Sequence, residues 1–363
     1  MQEQEPLDIL CFGNAIIDVF AEVDKNMCAG LGFTEPLQHI AYEKILEALS
    51  LLPDFTTTSG GGGANVAKIA SLLGLKAGFT GAVGSIRAAP DRFAALFEAE
   101  QTEAGVHTFL TRKNAPTGVC LVLQEQEGGT RIAACPSASL LYTPADIPEA
   151  AIKAAKVIVI DGYTLGLEES VSRILELADK YGTVVALDVG SPALAAERAE
   201  QIAAYCQDYP VFLFMNEDEA EAFYRALNKS DDGLEEEDAP VGSFEKKEAF
   251  MKQVYAFFKK FTARDLFPIV AVKLGPRGSV VFAGGTVYRE ETIAVLPLET
   301  TGAGDAFCAA FLAAWIHGKS LVECANLGNK VASQVLDVPG TRIDREKLAG
   351  FAKIITATKK GFF

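Results

Sequence analysis

Residues Glu299-Thr-Thr-Gly-Ala-Gly-Asp-Ala-Phe307 run from polar and glycine residues straight into a stretch that is apolar on every side, Ala306 to Ile316, with Gly318 just beyond. A helix without a polar face is a buried helix. Its N-terminus therefore sets unpaired N–H groups and a partial positive charge inside the protein, where an anion is held. Gly302 and Gly304 let the backbone approach a ligand closely, and Asp305 stands in the first turn, where a carboxylate is electrostatically favoured. On the residues alone, Asp305 is either a group beside a bound anion or a cap that follows a glycine turn.

A second glycine-rich segment, Ser59-Gly-Gly-Gly-Gly-Ala-Asn65, leads into a helical pattern with Val66, Ile69, Ala70 and Leu73 on one face and Gly74 as its stop. Four glycines are either a flexible linker or, since they lead directly into a well-patterned helix, a backbone that meets a ligand closely, with Gly61 and Gly62 at the turn. Asn65 offers both a donor and an acceptor to a hydroxyl. Three further features end apolar runs: Asn14 and Asp18 after Gly13, Asn216-Glu-Asp-Glu219, and Lys273-Leu-Gly-Pro-Arg-Gly278. Polar groups at strand ends touch ligands or serve turns. Asn216 and Glu219 suit either a hydrated Mg²⁺, which keeps several of its waters, or the charged start of a helix. Two common glycine motifs are excluded. GxxxxGK[ST] is absent, and neither Gly60-x-Gly62 nor Gly302-x-Gly304 is completed by a small residue, since Asn65 and Phe307 stand there. No Asp or Glu lies between Ala64 and Pro90, so the ribose-binding acid of a dinucleotide fold is missing as well.

These residues need a scaffold. Short, continuously apolar runs at 7–12, 157–160, 184–189, 211–215 and 269–272 read as strands of a parallel sheet covered on both faces. Between them lie amphipathic patterns such as Val171, Ile174, Leu175 and Ala178, followed by Gly182. The rhythm predicts an α/β chain. Strand-like pieces without intervening helices at 16–23, 37–41, 108–112, 118–123 and 130–134, the last two joined by a Gly128-Gly129 turn, suggest a small antiparallel sheet that stands off the main body, able to cover a cleft, with extra edge strands of the main sheet as the alternative. The segment 228–247 is acidic and poor in apolar residues, and reads as a solvated surface insertion.

The chain has 363 residues, of which 49% are hydrophobic, enough for a sizeable core. Its 33 basic and 48 acidic residues leave a net charge of −15, which argues against nucleic acid and anionic membrane surfaces as partners. Seven scattered cysteines without a CxxC, and an acidic N-terminus without a signal-peptide core, lead us to expect a cytoplasmic protein with reduced thiols. Three histidines and no Cys/His cluster exclude an ordinary zinc site.

In this order, the segments resemble the PfkB (ribokinase-like) family of carbohydrate and nucleoside kinases over nearly the whole chain, from Gly13-Asn14 to Gly340. The most specific part is TTGAGDAF, with GAGD at 302–305. The resemblance implies a three-layer α/β sandwich with a mostly parallel central sheet and a small antiparallel β lid. The α/β core would take 1–14, 42–106 and 136–363, and the lid 15–41 and 107–135. It implies ATP-dependent transfer of the γ-phosphoryl group to a hydroxymethyl oxygen. Asp305 would accept the hydroxyl proton, and backbone N–H groups of Gly302, Ala303 and Gly304 would receive the transferring phosphoryl. Asn14, Asp18, Gly61, Gly62 and Asn65 would hold the sugar or nucleoside. Lys273, Gly275, Gly278 and Asn329 would line the nucleotide site, and Asn216 and Glu219 would steer Mg²⁺ through water. A carboxylate with an ordinary pKa of about 4 is a poor base towards an alcohol, and suffices if the proton leaves late.

Departures from the pattern bear on substrate and cations. Glu299 stands where the family has Asp, a ligand of the monovalent cation in members that bind one, which puts potassium activation in doubt. Lys273 stands where threonine is common, and either reaches a phosphate or points into solvent. Ala64-Asn65 resembles ribokinase, whereas Gly13-Asn-Ala-Ile-Ile-Asp18 and Pro116-Thr-Gly118 are more like adenosine kinase. An adenosine-like nucleoside is the first expectation and a ribose- or fructose-like sugar the second. A catalytically silent binding protein of the same fold is the alternative. An open edge of the lid sheet would also suit a homodimer.

Overall fold

The structure is a computed structural model and describes residues 5–35, 37–85, 91–126, 129–228, 244–263, 268–292, 302–335 and 345–357. Glu299, Thr300, Thr301, Gly128, Gly340 and residues 229–243 of the acidic segment lie outside them.

The strands are β1 (Leu7–Phe12), β2 (Ile16–Val23), β3 (Leu37–His39), β4 (Thr56–Gly60), β5 (Ala77–Gly84), β6 (His107–Lys113), β7 (Gly118–Glu125), β8 (Thr130–Cys135), β9 (Ala155–Asp161), β10 (Val184–Asp188), β11 (Val211–Asn216), β12 (Ile269–Lys273), β13 (Ser279–Ala283) and β14 (Thr286–Glu290). Nine of them form one sheet in the order β14-β13-β12-β11-β10-β9-β1-β5-β6. It is parallel from β6 to β12, and β13 and β14 add antiparallel edges. The continuous apolarity of the central strands has a direct cause. Val157, Val159, Phe212 and Phe214 face one core, while Ile158, Ile160, Leu213 and Met215 face the other. Helices Gly62–Leu72 and Ala303–Ile316 fill the first side, and Glu168–Tyr181 and Ala199–Asp208 the second. Gly182, at φ 70°, ends helix Glu168–Tyr181 as its spacing predicts.

The smaller sheet runs β3-β8-β7-β2-β4. Its β2–β4 and β7–β8 pairs are antiparallel, and its β2–β7 and β3–β8 pairs are parallel. Its membership differs from the sequence expectation in three ways. The strand at 108–112 forms as β6 at the edge of the large sheet beside β5, the alternative left open by the sequence, and not in the lid to which 107–135 was assigned. The cause is helix Arg92–Glu103, which lies between β5 and β6 and makes a crossover that returns the chain parallel to β5. Conversely, β4, assigned by sequence to the core, joins the smaller sheet through β2. A short helix, Lys25–Gly30, also separates β2 from β3, with Asp24 accepting from Met27 N at its start. Among the described residues no helix is long and apolar enough to cross a membrane.

Candidate active site

The C-terminal ends of the parallel strands are where an open α/β sheet presents its ligand groups. Asn14 follows β1, and Asp161, Asp188, Asn216 and Lys273 are the last residues of β9, β10, β11 and β12. All five line one cavity of about 670 Å³. The same cavity is lined by the other residues to which the family resemblance gave a role in catalysis or binding: Asp18, Gly61, Gly62, Asn65, Glu219, Gly275, Gly278, Gly302, Ala303, Gly304, Asp305 and Asn329.

The glycine segment at 59–65 is the junction between the two sheets. β4 ends at Gly60 in the smaller sheet, and the helix Gly62–Leu72 begins two residues later. Gly61 has φ +95°, and a Cβ there would meet the Asn14 carbonyl oxygen at 2.1 Å. The turn admits only glycine. At Gly60 a Cβ would lie 2.0 Å from Asp18 Oδ2, so the missing side chain makes room for that carboxylate. Asp161 closes the turn from below. Its Oδ2 accepts from Gly63 N at 3.3 Å and its Oδ1 from Tyr163 N at 3.1 Å. Buried Lys68 braces it from behind by donating to Ser59 O at 2.6 Å and Ser59 Oγ at 3.2 Å.

Helix Ala303–Ile316 starts as its sequence predicts. Gly302 is in the left-handed region at φ 80°, no side chain caps the helix, and Ala306 to Ala314 are all buried. Asp305, in the first turn, accepts from Asn65 Nδ2 at 2.9 Å, which joins the two glycine segments. Burial, and then repulsion from Asp188, push Asp305 up to about 7, against the hydrogen bond from Asn65. The ordinary carboxylate basicity assumed from sequence is thus corrected by the tertiary surroundings. A pKa near neutrality suits a general base far better than one near 4.

Lys273 is neither solvent-directed nor unpaired. Its Nζ donates to Asp188 Oδ1 at 3.0 Å and Oδ2 at 3.3 Å. Burial alone would lower the ammonium's pKa, but Asp188 and Glu219 outweigh it and hold the group charged. Asn216 and Glu219 close on each other as a capping box. Glu219 Oε2 accepts from Asn216 N, Oε1 accepts from Asn216 Nδ2, and Glu219 N donates to Asn216 Oδ1, each at 2.8 Å. Burial pushes Glu219 up to about 7. Among the described residues no group of three or more His, Cys, Asp or Glu is placed to hold a metal ion.

Sequence reasoning missed Asp161, Asp188, Lys68 and most of the lid face. For the two aspartates a signal existed, since each ends an apolar strand just before a glycine, as Ile160-Asp161-Gly162 and Asp188-Val-Gly190. Lys68 carried none, because a lysine in an amphipathic helix ordinarily faces water. Across the smaller sheet, Ile16 and Asp18 of β2, Cys120 of β7, Ile132 and Ala134 of β8, and Leu37 and His39 of β3 all face the cavity. The intervening Ile17, Val19, Val119, Leu121 and Ala133 face the core.

The fold has counterparts among solved structures. A probable sugar kinase from Rhizobium etli CFN 42 superposes with a TM-score of 0.79 at 23% identity, over 97% of this chain and 99% of that one. The adenosine kinase from Sinorhizobium meliloti gives 0.79 at 22%, over 96% and 99%. In sequence, the chain is 27% identical over 346 residues to adenosine kinase 1 of Arabidopsis thaliana, covering 92% of this chain and 94% of that protein. It is 23% identical over 347 residues to the 5-dehydro-2-deoxygluconokinase of Bacillus subtilis (strain 168), covering 92% and 91%. Residues 7–348 match the model described as pfkB family carbohydrate kinase. With that match over nearly its whole length, the chain belongs to the pfkB family of carbohydrate kinases, phosphotransferases that act on alcohol groups.

Proposed function

We propose that this protein transfers the γ-phosphoryl group of ATP, with Mg²⁺, to the hydroxymethyl group of an adenosine-like nucleoside. The observation that carries the substrate is the face of the smaller sheet. Leu37, Ile132, Ala134 and Ile16 form an apolar wall beside buried Asn14, Asp18 and Asn65, with Tyr163 on the same cavity. An apolar slot next to a cluster of hydroxyl-binding groups suits a planar base carried on a ribose. A free sugar, polar all round, would leave that wall unused. The relatives named 5-dehydro-2-deoxygluconokinase suggest a sugar acid instead, and a carboxylate needs a cation. Among the described lining residues the basic side chains are His39 and Lys273, and Lys273 stands at the start of helix Ala303–Ile316, beside Gly304, instead of on the apolar wall.

In this reading Asn14, Asp18 and Asn65 bind the ribose hydroxyls, and the backbone of Gly61 and Gly62 closes against the sugar. The hydroxymethyl oxygen then lies towards Asp305, which accepts its proton as the bond to phosphorus forms. The N–H groups of Gly302, Ala303 and Gly304 receive the phosphoryl charge. Gly275, Gly278 and Asn329 line the nucleotide end. Mg²⁺ would neutralise charge on the phosphate oxygens, with Asn216 and Glu219 reaching its waters. The acidity of the chain is no obstacle, because helix N-terminus and placed cations act locally in a dry cleft.

The test is ATP consumption with Mg²⁺ across nucleosides, neutral sugars and sugar acids, with Asp305→Asn alongside. Turnover on adenosine, lost in the variant, is the expected result. Turnover confined to a sugar acid would overturn the substrate, and absence of ATP binding would overturn the kinase reading.

A further inference from the structure

Lys273 sits in the cavity with more order than a nucleotide-lining residue requires. It is the last residue of β12, and its side chain is 16% exposed while that of its partner Asp188 is 12% exposed. The two Asp188 oxygens take two of the three donors of the ammonium, leaving one for a ligand. The Nζ also lies 3.0 Å from the point where a Cβ on Gly304 would stand. Side-chain bonds on a helix tilt towards its N-terminus, so this atom is at the N-terminal mouth of helix Ala303–Ile316, beside its uncapped N–H groups and one residue from Asp305. Any larger residue at 304 would crowd the ammonium out of that position. Asp188, reaching across from β10, fixes the otherwise flexible lysine at both oxygens.

We propose that Lys273 is a catalytic residue of phosphoryl transfer, its Asp188-clamped ammonium contacting the oxygens of the transferring group. The inference rests on the kinase reading above. In that step the substrate hydroxyl oxygen bonds to the γ-phosphorus while the bond from that phosphorus to the β–γ bridging oxygen breaks. The hydroxyl proton goes to Asp305, and the electron pair of the broken bond stays on ADP. Lys273 makes and breaks no covalent bond. It supplies a fixed positive charge, already oriented before the reaction, next to oxygens whose charge is redistributed. Asp188 is the positioning residue of this pair.

A single Lys273 deletion would strand a buried Asp188 charge and confuse folding with chemistry. The decisive variant is therefore Lys273→Gln combined with Asp188→Asn, two neutral amides that can hydrogen-bond to each other. A thermal melt checks its fold, and should it melt below assay temperature, Lys273→Met with Asp188→Leu, an apolar pair that leaves no stranded charge, is read instead. Turnover is expected to fall about 100-fold. Calorimetric titration is expected to show ATP binding weakened about tenfold and ADP binding changed by less than about twofold, since only ATP carries the group that Lys273 meets. A structural role would weaken both nucleotides alike or neither. Turnover within about threefold of the wild type, or equal losses for ATP and ADP, would overturn the proposal. A wild type that binds ATP yet phosphorylates nothing would instead defeat the kinase reading, and the ATP-against-ADP difference would still judge the contact by Lys273.

Discussion

The cavity has two walls of opposite chemistry. The wall from the large sheet and helix Ala303–Ile316 carries Asp161, Asp188, Glu219, Asp305 and Lys273, and burial pushes Asp161, Glu219 and Asp305 above the ordinary carboxylate range. The wall from the smaller sheet carries Ile16, Leu37, Cys120, Ile132 and Ala134, with Asp18 as its one carboxylate among the described residues. Buried ionisable groups cost stability and persist where chemistry uses them. Apolar side chains on an open sheet face contribute shape instead. The difference assigns the reaction to one wall and the choice of molecule to the other, so substitutions on the two should fail in different ways.

The largest expected effect is on the charged wall. Asp305→Asn should lower kcat about 1,000-fold while leaving substrate affinity nearly unchanged. The same change should raise stability. Asp305 titrates near 7 in the fold against 3.8 when unfolded, so the native state holds its proton more tightly. Wild-type stability therefore falls as pH rises from about 4 to 7. The variant escapes that loss. Denaturant melts should show it more stable than the wild type at pH 8, with the gap closing towards pH 4. A variant less stable at pH 8 would contradict the reading of Asp305 as a strained, buried carboxylate.

Next in size is the junction between the walls. Gly60→Ala places a methyl group 2.0 Å from Asp18 Oδ2 and must displace it. A misplaced binding group of this kind costs up to about 100-fold in kcat/KM. The loss should appear mainly in KM, and wild-type KM in this variant would remove Asp18 from the substrate site. Smaller again is the effect of pH on the intact enzyme. Because Asp305 must be ionised to accept a proton, kcat/KM should drop about tenfold for each unit below pH 7. A profile flat down to pH 5 would show that another group takes the proton. Smallest is the apolar wall, where Ile132→Ala should raise KM for a nucleoside about tenfold and leave kcat within about twofold. An equal loss of kcat would erase the distinction between the walls.

How far the sequence revealed these walls differs between them. The charged wall was largely legible, because strand ends and glycine turns are local patterns. Gly302 to Asp305, Asn65 and Lys273 were all found that way. Asp161 and Asp188 had the same local signature but were overlooked among other strand-terminal acids. The lid was less legible. The strand at 108–112 looked like its neighbours in sequence, and only the helix before it, Arg92–Glu103, sends it to the large sheet. Which lid residues face inward was likewise hidden, since Cys120 and Val122 of β7 and Ile132 and Ala134 of β8 are as apolar as the residues between them and alternation had little to contrast.

The amino-acid order by itself determined the elements, the buried helix behind Gly302 and the residues able to meet a phosphate, because periodicity, capping and glycine turns act within a few residues of chain. The tertiary structure alone decided what those residues became. Asp305 acquires a near-neutral pKa from burial and from Asp188, and Lys273 becomes a clamped charge rather than a solvated one through that same aspartate, 85 residues earlier in the chain. Register decided the rest, since pairing Leu37 with Ile132 and Asp18 with Cys120 brings four separate strands to one face of one cavity. Desolvation and long-range pairing depend on what the rest of the chain places nearby, and no local pattern encodes that.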